Sequence, residues 1–203
     1  GVEIDAISGR IAQKLHPSAS IQIKGFEKTE FEDNSFDVIV GNVPFGDFRL
    51  YDPRYKKMKL KVHDYFIRKS MDLLRPGGIL AVVTSKGTLD KNDSTVRKNL
   101  AEQADLLGAV RLPADSFGKS ANTAVTSDLL FFQKKAEPLM GEPIWTYTGL
   151  TEDMVPVNEY YLEHPEMMLG KMVWFEQFFG KDSKYTALVN NAEDFDLEKG
   201  ILD

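Results

Sequence analysis

Residues 36–48, FDVIVGNVPFGDF, constrain this chain more tightly than any other stretch. Val38, Ile39 and Val40 form a β-branched run bounded by turn formers, Asn34-Ser35 before it and Gly41-Asn42 after it, which predicts a buried strand over Asp37–Val40. In an open α/β sheet, ligands bind in the crevice beyond the carboxyl ends of the strands, so the polar residues that follow are the first candidates for chemistry. The Asn42 carboxamide donates and accepts in one plane, which suits an amino group. Pro44 fixes its own φ and drives Val43 into an extended conformation with its carbonyl oxygen free to accept. Phe45 adds a flat apolar face. An amide, a presented carbonyl and a ring within four residues make a clamp for the exocyclic amine of a base; the same residues also read as a strand-ending turn with a core Phe.

The flanking segments read as an α/β chain. GVEID predicts a short strand, AISGRIAQKLH a helix with Ile7, Ile11 and Leu15 at helical spacing before Pro17, and SIQIKGF an edge strand. This is the second strand, helix and third strand of a nucleotide-binding unit, in which an acid at the end of the second strand bonds a ribose hydroxyl. Residues 48–60 read as a loop with a turn at Asp52-Pro53, and residues 63–74 as an amphipathic helix ended by Pro76-Gly77-Gly78. Residues 78–85 (GILAVVTS) predict a second, fully buried strand, residues 95–103 a helix, residues 106–112 and 128–134 the last two strands. Between those strands, residues 113–126 form a polar loop with one isolated aromatic, Phe117. From Pro138 the character shifts to an acidic, aromatic segment, so the chain divides into a core over 1–137 and an extension over 138–203 whose final residues, from Asn190, are expected to be flexible.

Charge separates the same two parts. The net charge of −6 hides a tail from Glu137 onward with 4 Lys/Arg and 14 Asp/Glu, leaving 21 against 17 and a net +4 for residues 1–136. Residues 54–69 carry seven Lys/Arg against one Asp, so Lys56, Lys57, Lys59 and Lys61 are candidates to lie along a phosphate backbone, the other reading being a solvated face. There are no cysteines, and the three histidines, His16, His63 and His164, have no metal-ligand spacing, so no metal is expected. No apolar run approaches the ~18–20 residues of a membrane span, and the reading is of a cytoplasmic protein.

Asn42-Val43-Pro44-Phe45 resembles the Asn-Pro-Pro-Tyr/Phe signature of S-adenosylmethionine-dependent amino-methyltransferases, chiefly the N6-adenine DNA methyltransferases. Together with the downstream HDYF, RPGGI and VTSD segments, it is most similar to the methylase region of large mobile-element proteins that also carry a Swi/Snf-type helicase. The resemblance implies a class I methyltransferase (Rossmann-like) sheet, S-adenosylmethionine as cofactor, flipped adenine in DNA as substrate, and a helicase domain in the same polypeptide. It implies that Asn42, Val43, Pro44 and Phe45 are catalytic, Val43 through its backbone carbonyl. It makes Glu3, with Asp5 as the fallback, the ribose ligand and Phe26 the ring that packs on the cofactor adenine. Relatives carry an Asp before that Phe; here the residue is Gly25, and Glu27 is the candidate replacement. His63, Asp64 and Tyr65 would line the entrance next to the cofactor, and Phe117 would hold the flipped base on its second face or else anchor its loop.

The family's first strand and its Gly-rich turn are not found, which predicts a truncated fragment with poor cofactor binding. Two further readings stay open: a methyltransferase acting on RNA adenine or protein glutamine, and a non-catalytic DNA-docking module, toward which Val43 and Gly25 both point.

Overall fold

In the computed structural model, residues 1–117, 125–174, 185–190, 192 and 195–202 are described. The chain opens with a parallel β–α–β unit in which β1 (Val2–Glu3) pairs with β2 (Gln22–Ile23) and α1 (Ala6–Leu15) crosses between them. Asp5 caps α1 by accepting from the Ser8 amide at 2.7 Å, and the helix stops at His16, ahead of Pro17, which disfavours helical backbone in the residue before it. Gly9 is required by the packing: a Cβ there would sit 2.8 Å from Ile23 Cγ1, so the helix lies on β2 only without a side chain at that position.

The main sheet has the order β3-β4-β6-β5, with β3 (Phe36–Asn42), β4 (Leu74–Ser85), β5 (Ala104–Leu112) and β6 (Ser127–Lys134). The strands β3 and β4 are parallel and joined through α2 (Val62–Leu73), while β6 runs antiparallel to both β4 and β5. Two short helices, α3 (Gly87–Asp90) and α4 (Thr95–Ala101), carry the chain from β4 to β5. Gly77, at φ 76°, absorbs the left-handed backbone at the irregular start of β4, where the register with β3 jumps after Phe36↔Leu74.

The core lies around Met71 of α2, Leu80 and Val82 of β4, Leu100 of α4, and Leu130 and Phe132 of β6. The extension enters the same core: the Trp145 ring lies 5.7 Å from that of Phe132, and Tyr161 is buried. It continues as an antiparallel pair β7 (Thr148–Leu150) and β8 (Pro156–Asn158), then α5 (Glu159–Glu163), the antiparallel pair β9 (Lys171–Trp174) and β10 (Thr186–Val189), and α6 (Leu197–Leu202), which places helix in the segment expected to be flexible.

Two expectations of burial are corrected. The predicted strand at 37–40 forms, but Val38 and Val40 are 54% and 74% exposed, and only Ile39 packs on the core. The reason is cover: among the described residues β3 is hydrogen-bonded to β4 alone, Ile39 packs on the core from one face, and the opposite face with Val38 and Val40 is left in solvent; an apolar strand is buried on both faces only when both are covered. Likewise Ile7, Ile11 and Leu15 take the predicted helical spacing in α1 yet form an exposed stripe. The β4 strand is buried on one face, through Leu80, Val82 and Thr84, and half-buried on the other.

Candidate functional site

Asn42 is the last residue of β3, in register with Val83 of β4. One more ladder bond follows, from the Val43 amide to the Val83 carbonyl at 3.0 Å, and the Val43 side chain is buried in the core. That bond and that packing fix the backbone at the point where Pro44, which has no amide hydrogen, leaves the sheet. The result is an exposed Asn42 side chain and a Val43 carbonyl oxygen, neither of which meets a hydrogen-bond partner among the described residues. Phe45 is half-buried beside them, and Gly46 leaves room for the Phe48 ring, which a Cβ would meet at 2.7 Å.

The loop that follows is held at several points. The Phe48 carbonyl accepts from the Val62 amide at 2.9 Å, and Asp47 pairs with Lys61 at 2.7 Å. Asp52, which the sequence marks as a turn former, is buried and accepts from Tyr65 Oη at 2.8 Å, the Arg54 amide at 3.0 Å and Lys69 Nζ at 3.3 Å. Burial works against the Asp52 carboxylate, but the bonds from Tyr65 and Arg54 and the Lys69 charge hold its pKa below the usual value. Arg54 is bidentate on Asp33 at 2.7 Å and also reaches Asp72 at 3.2 Å. Lys56, Lys57 and Lys59 are exposed and make no ion pair among the described residues, whereas Lys61 is spent on Asp47. The four lysines thus separate into three available cations and one structural one.

In the β1–α1–β2 unit, whose strands form a sheet separate from β3, Glu3 Oε1 accepts from the Asp5 amide at 2.8 Å, and the Ser8 amide holds the Asp5 carboxyl below the usual range. The fallback acid is therefore a helix cap, and Glu3 keeps one oxygen unspent. Phe26 opens a one-turn helix over 26–28 and packs its ring 5.0 Å from Phe66 and 6.3 Å from Tyr65, while Lys69 Nζ donates to its carbonyl at 2.8 Å. The Glu27 carboxylate folds back into the space that a side chain on Gly25 would fill.

The structure places Asp64 and Tyr65 in the interior. Asp64 is held through one oxygen by Lys91 Nζ at 2.5 Å, its other oxygen having no hydrogen-bond partner among the described residues, and the Tyr65 hydroxyl is committed to Asp52. His63 is buried with neither ring nitrogen bonded, and burial depresses its pKa. At the end of β4, Thr84 bonds Thr88 at 2.8 Å, and Lys86 Nζ donates to Thr186 Oγ1 at 2.8 Å. Phe117 is half-buried at the start of the loop, whose residues 118–124 lie outside the described residues, as do Phe175, Phe178 and Phe179.

A parallel β3–α2–β4 crossover followed by a last strand inserted antiparallel is the arrangement of the class I S-adenosylmethionine-dependent methyltransferases. A protein from Listeria monocytogenes assigned to that class superposes with a TM-score of 0.56 at 18% identity, over 70% of this chain and 46% of its own. A subunit from Vibrio vulnificus assigned as the modification subunit of a type I restriction enzyme gives 0.55 at 23% identity, over 68% of this chain and 32% of its own. The chain belongs to the Eco57I restriction-modification methylase family, whose sequence model matches residues 3–117, from β1 through the Asn42 turn to Phe117. It is also 33% identical over 186 residues to the "Defense against restriction protein B" of Escherichia phage P1, covering 86% of this chain and 8% of that protein. No helix among the described residues is long and apolar enough to cross a membrane.

Proposed function

We infer that this chain is the methyltransferase domain that transfers a methyl group to the N6 amine of an adenine turned out of DNA. The observation that carries the reading is the pair of unpartnered acceptors at the end of β3, the Asn42 side-chain oxygen and the Val43 carbonyl, next to the Phe45 ring. An aromatic amine nitrogen is a weak nucleophile because its lone pair delocalises into the ring. Accepting both amine hydrogens, at Asn42 Oδ1 and at Val43 O, favours a tetrahedral nitrogen and turns its lone pair out of the ring plane. The same two dipoles face the positive charge that grows on nitrogen, and the proton then leaves to solvent; no covalent enzyme intermediate is required. Phe45 supplies a stacking face that holds the base against rotation. S-adenosylmethionine supplies the electrophilic methyl, with Glu3 the residue suited to its ribose and Phe26 and Glu27 to its adenine.

Glu27 is the candidate to make up for the Gly25 departure. Its carboxylate lies in the space that a side chain at 25 would occupy, which supports Glu27 as the acid toward the cofactor adenine in place of the residue missing at 25. The unpaired cations of the following loop favour a nucleic acid over a protein glutamine as substrate.

The test is Asn42→Ala in the native polypeptide, followed by transfer of labelled methyl to DNA and by DNA affinity. Transfer should fall at least a hundredfold, the scale of losing one oriented dipole at a reacting centre, while affinity stays within about twofold. Undiminished transfer would overturn the reading.

A further inference from the structure

A cavity of about 240 Å³ opens in the loop between the Asn42 turn and α2. Its floor is Leu50, Tyr55, Leu60 and Tyr65, largely buried and half aromatic, half aliphatic, and its rim is Arg49, Tyr51, Lys56 and Lys59. Tyr51 is 74% exposed, an aromatic ring left in water at the edge of a cationic mouth.

The charge at that mouth is unbalanced. Arg49, Lys56 and Lys59 make no ion pair among the described residues, and the nearby acids are already engaged. Asp52 is taken by Tyr65 and Lys69, Asp72 by Arg54, Arg68 and Tyr55, and Asp47, which lies close enough to feel Arg49, by Lys61. The backbone is also set at a cost, because Lys59 takes a left-handed conformation (φ 52°, ψ 35°). For a residue with a Cβ this conformation is strained, and such strain collects at ligand sites. Here the kink turns Leu60 into the floor and leaves Lys59 on the rim.

Three free cations at a mouth call for a phosphate, and an exposed ring over an apolar floor with two tyrosines calls for a flat heterocycle. We propose that this cavity is a second nucleotide site, which takes one unstacked nucleotide of the same DNA strand, its phosphate on Arg49, Lys56 and Lys59 and its base on Tyr51. The volume admits a base and excludes a duplex. Arg49 is seven residues from Asn42, a span of at most ~25 Å, so the bound nucleotide lies within about seven base steps of the target. The proposal rests on the reading of this chain as acting on DNA, and it supplies what the amine clamp lacks, a grip on the strand.

The experiment measures binding of the native polypeptide to an oligonucleotide with an unpaired flanking base, across a salt series. Tyr51→Ala should weaken binding about 5- to 150-fold, the range for loss of one base–aromatic stack, and Tyr51→Phe should restore it. Replacing Arg49, Lys56 and Lys59 with Gln should lower the salt slope by up to about three, while Lys61→Gln, whose cation is already paired, should leave it unchanged. Unchanged affinity in Tyr51→Ala together with an unchanged slope in the triple variant overturns the proposal. So does a free nucleoside monophosphate that binds the wild type and is lost in Tyr51→Ala while DNA binding is unmoved. Asn42→Ala, read by methyl transfer, separates the two ideas: the clamp can fail with the cavity intact, or the cavity with the clamp intact.

Discussion

The two edges of the main sheet are built from similar residues and meet opposite fates. At the β5–β6 side, the extension closes over the strands and buries even charge. Arg111 is fully buried, bonded to Asp128 at 2.8 and 2.9 Å and to Asp90 at 2.7 and 2.9 Å, with Tyr161 stacked 4.2 Å from its guanidinium. Asn158 joins through its amide to Asp90 at 2.9 Å and its side chain to the Leu89 and Trp145 carbonyls, so a charged group ties core to extension. At the β3 side, valines that favour burial stand in water, and the helix stripe of Ile7, Ile11 and Leu15 stands there too. The difference shows that burial in this fold follows from which element lies alongside, and only secondarily from the hydrophobicity of the residue.

The sharpest way to break the comparison is at Arg111. Arg111→Ala leaves Asp90 and Asp128 buried without their cation, and removal of one partner from a buried ion network typically costs ~3–5 kcal/mol. We expect a large fall in the urea midpoint, with loss of the extension's docking reported by increased solvent exposure of Trp145. A midpoint unchanged from wild type would mean that the network contributes nothing to holding the extension in place.

Local pattern made much of this legible. The β-branched run ended by Gly41-Asn42 located β3 and the acceptor pair at its tip, Pro76-Gly77-Gly78 marked the passage from α2 to β4, and the Asn42-Val43-Pro44-Phe45 signature pointed to the family. What stayed hidden depends on residues far apart in the chain. Arg111 and Asp128 face each other across β5 and β6 but are separated by 17 residues, and Asp90 by 21; a lone Arg in the apolar run LLGAVRL was the available signal. Asp52 read as a turn former because Asp-Pro suits a turn, whereas its carboxylate is set by Tyr65 and Lys69 from another element. The sorting of the loop lysines was equally out of reach, since a one-dimensional run of cations cannot say that Lys61 faces Asp47 while Lys59 faces a cavity. Exposure of β3 and α1 could not be read from periodicity, which reports the spacing of a face and not its cover.

Between the extremes stands His63, buried like Arg111 but with neither ring nitrogen hydrogen-bonded, Nε2 lying 3.6 Å from Asp64 Oδ1. Burial lowers its pKa from 6.5; Lys91 and Lys61 push the same way, against Asp64 and Asp47. A histidine depressed in the folded state binds its proton more readily when unfolded. Its contribution is therefore intact above pH ~6.5 and is lost as pH falls below that value toward the folded pKa. We expect urea stability of the wild type to drop from pH 7.5 to pH 5, and His63→Phe to flatten that decline. An equal decline in both proteins would place the acid sensitivity elsewhere, since the depressed carboxylates Asp5, Asp33 and Asp52 titrate at lower pH.

The smallest effect on stability is expected at the open edge, and there it is the informative result. Val40 is 74% exposed on a seven-residue strand with one edge unpaired among the described residues. A surface change of this kind usually alters stability by no more than ~0.5 kcal/mol, so Val40→Lys should leave the urea midpoint nearly unmoved despite the loss of a β-branched apolar residue. An exposed apolar edge strand is also a template for pairing with another chain, and an edge lysine is the usual means of blocking it. Wild-type chain should therefore associate as concentration rises in sedimentation experiments, and Val40→Lys should suppress that association at constant stability. If the lysine instead unfolds the chain, Val40 is covered in solution and the two edges of the sheet are more alike than their exposures indicate.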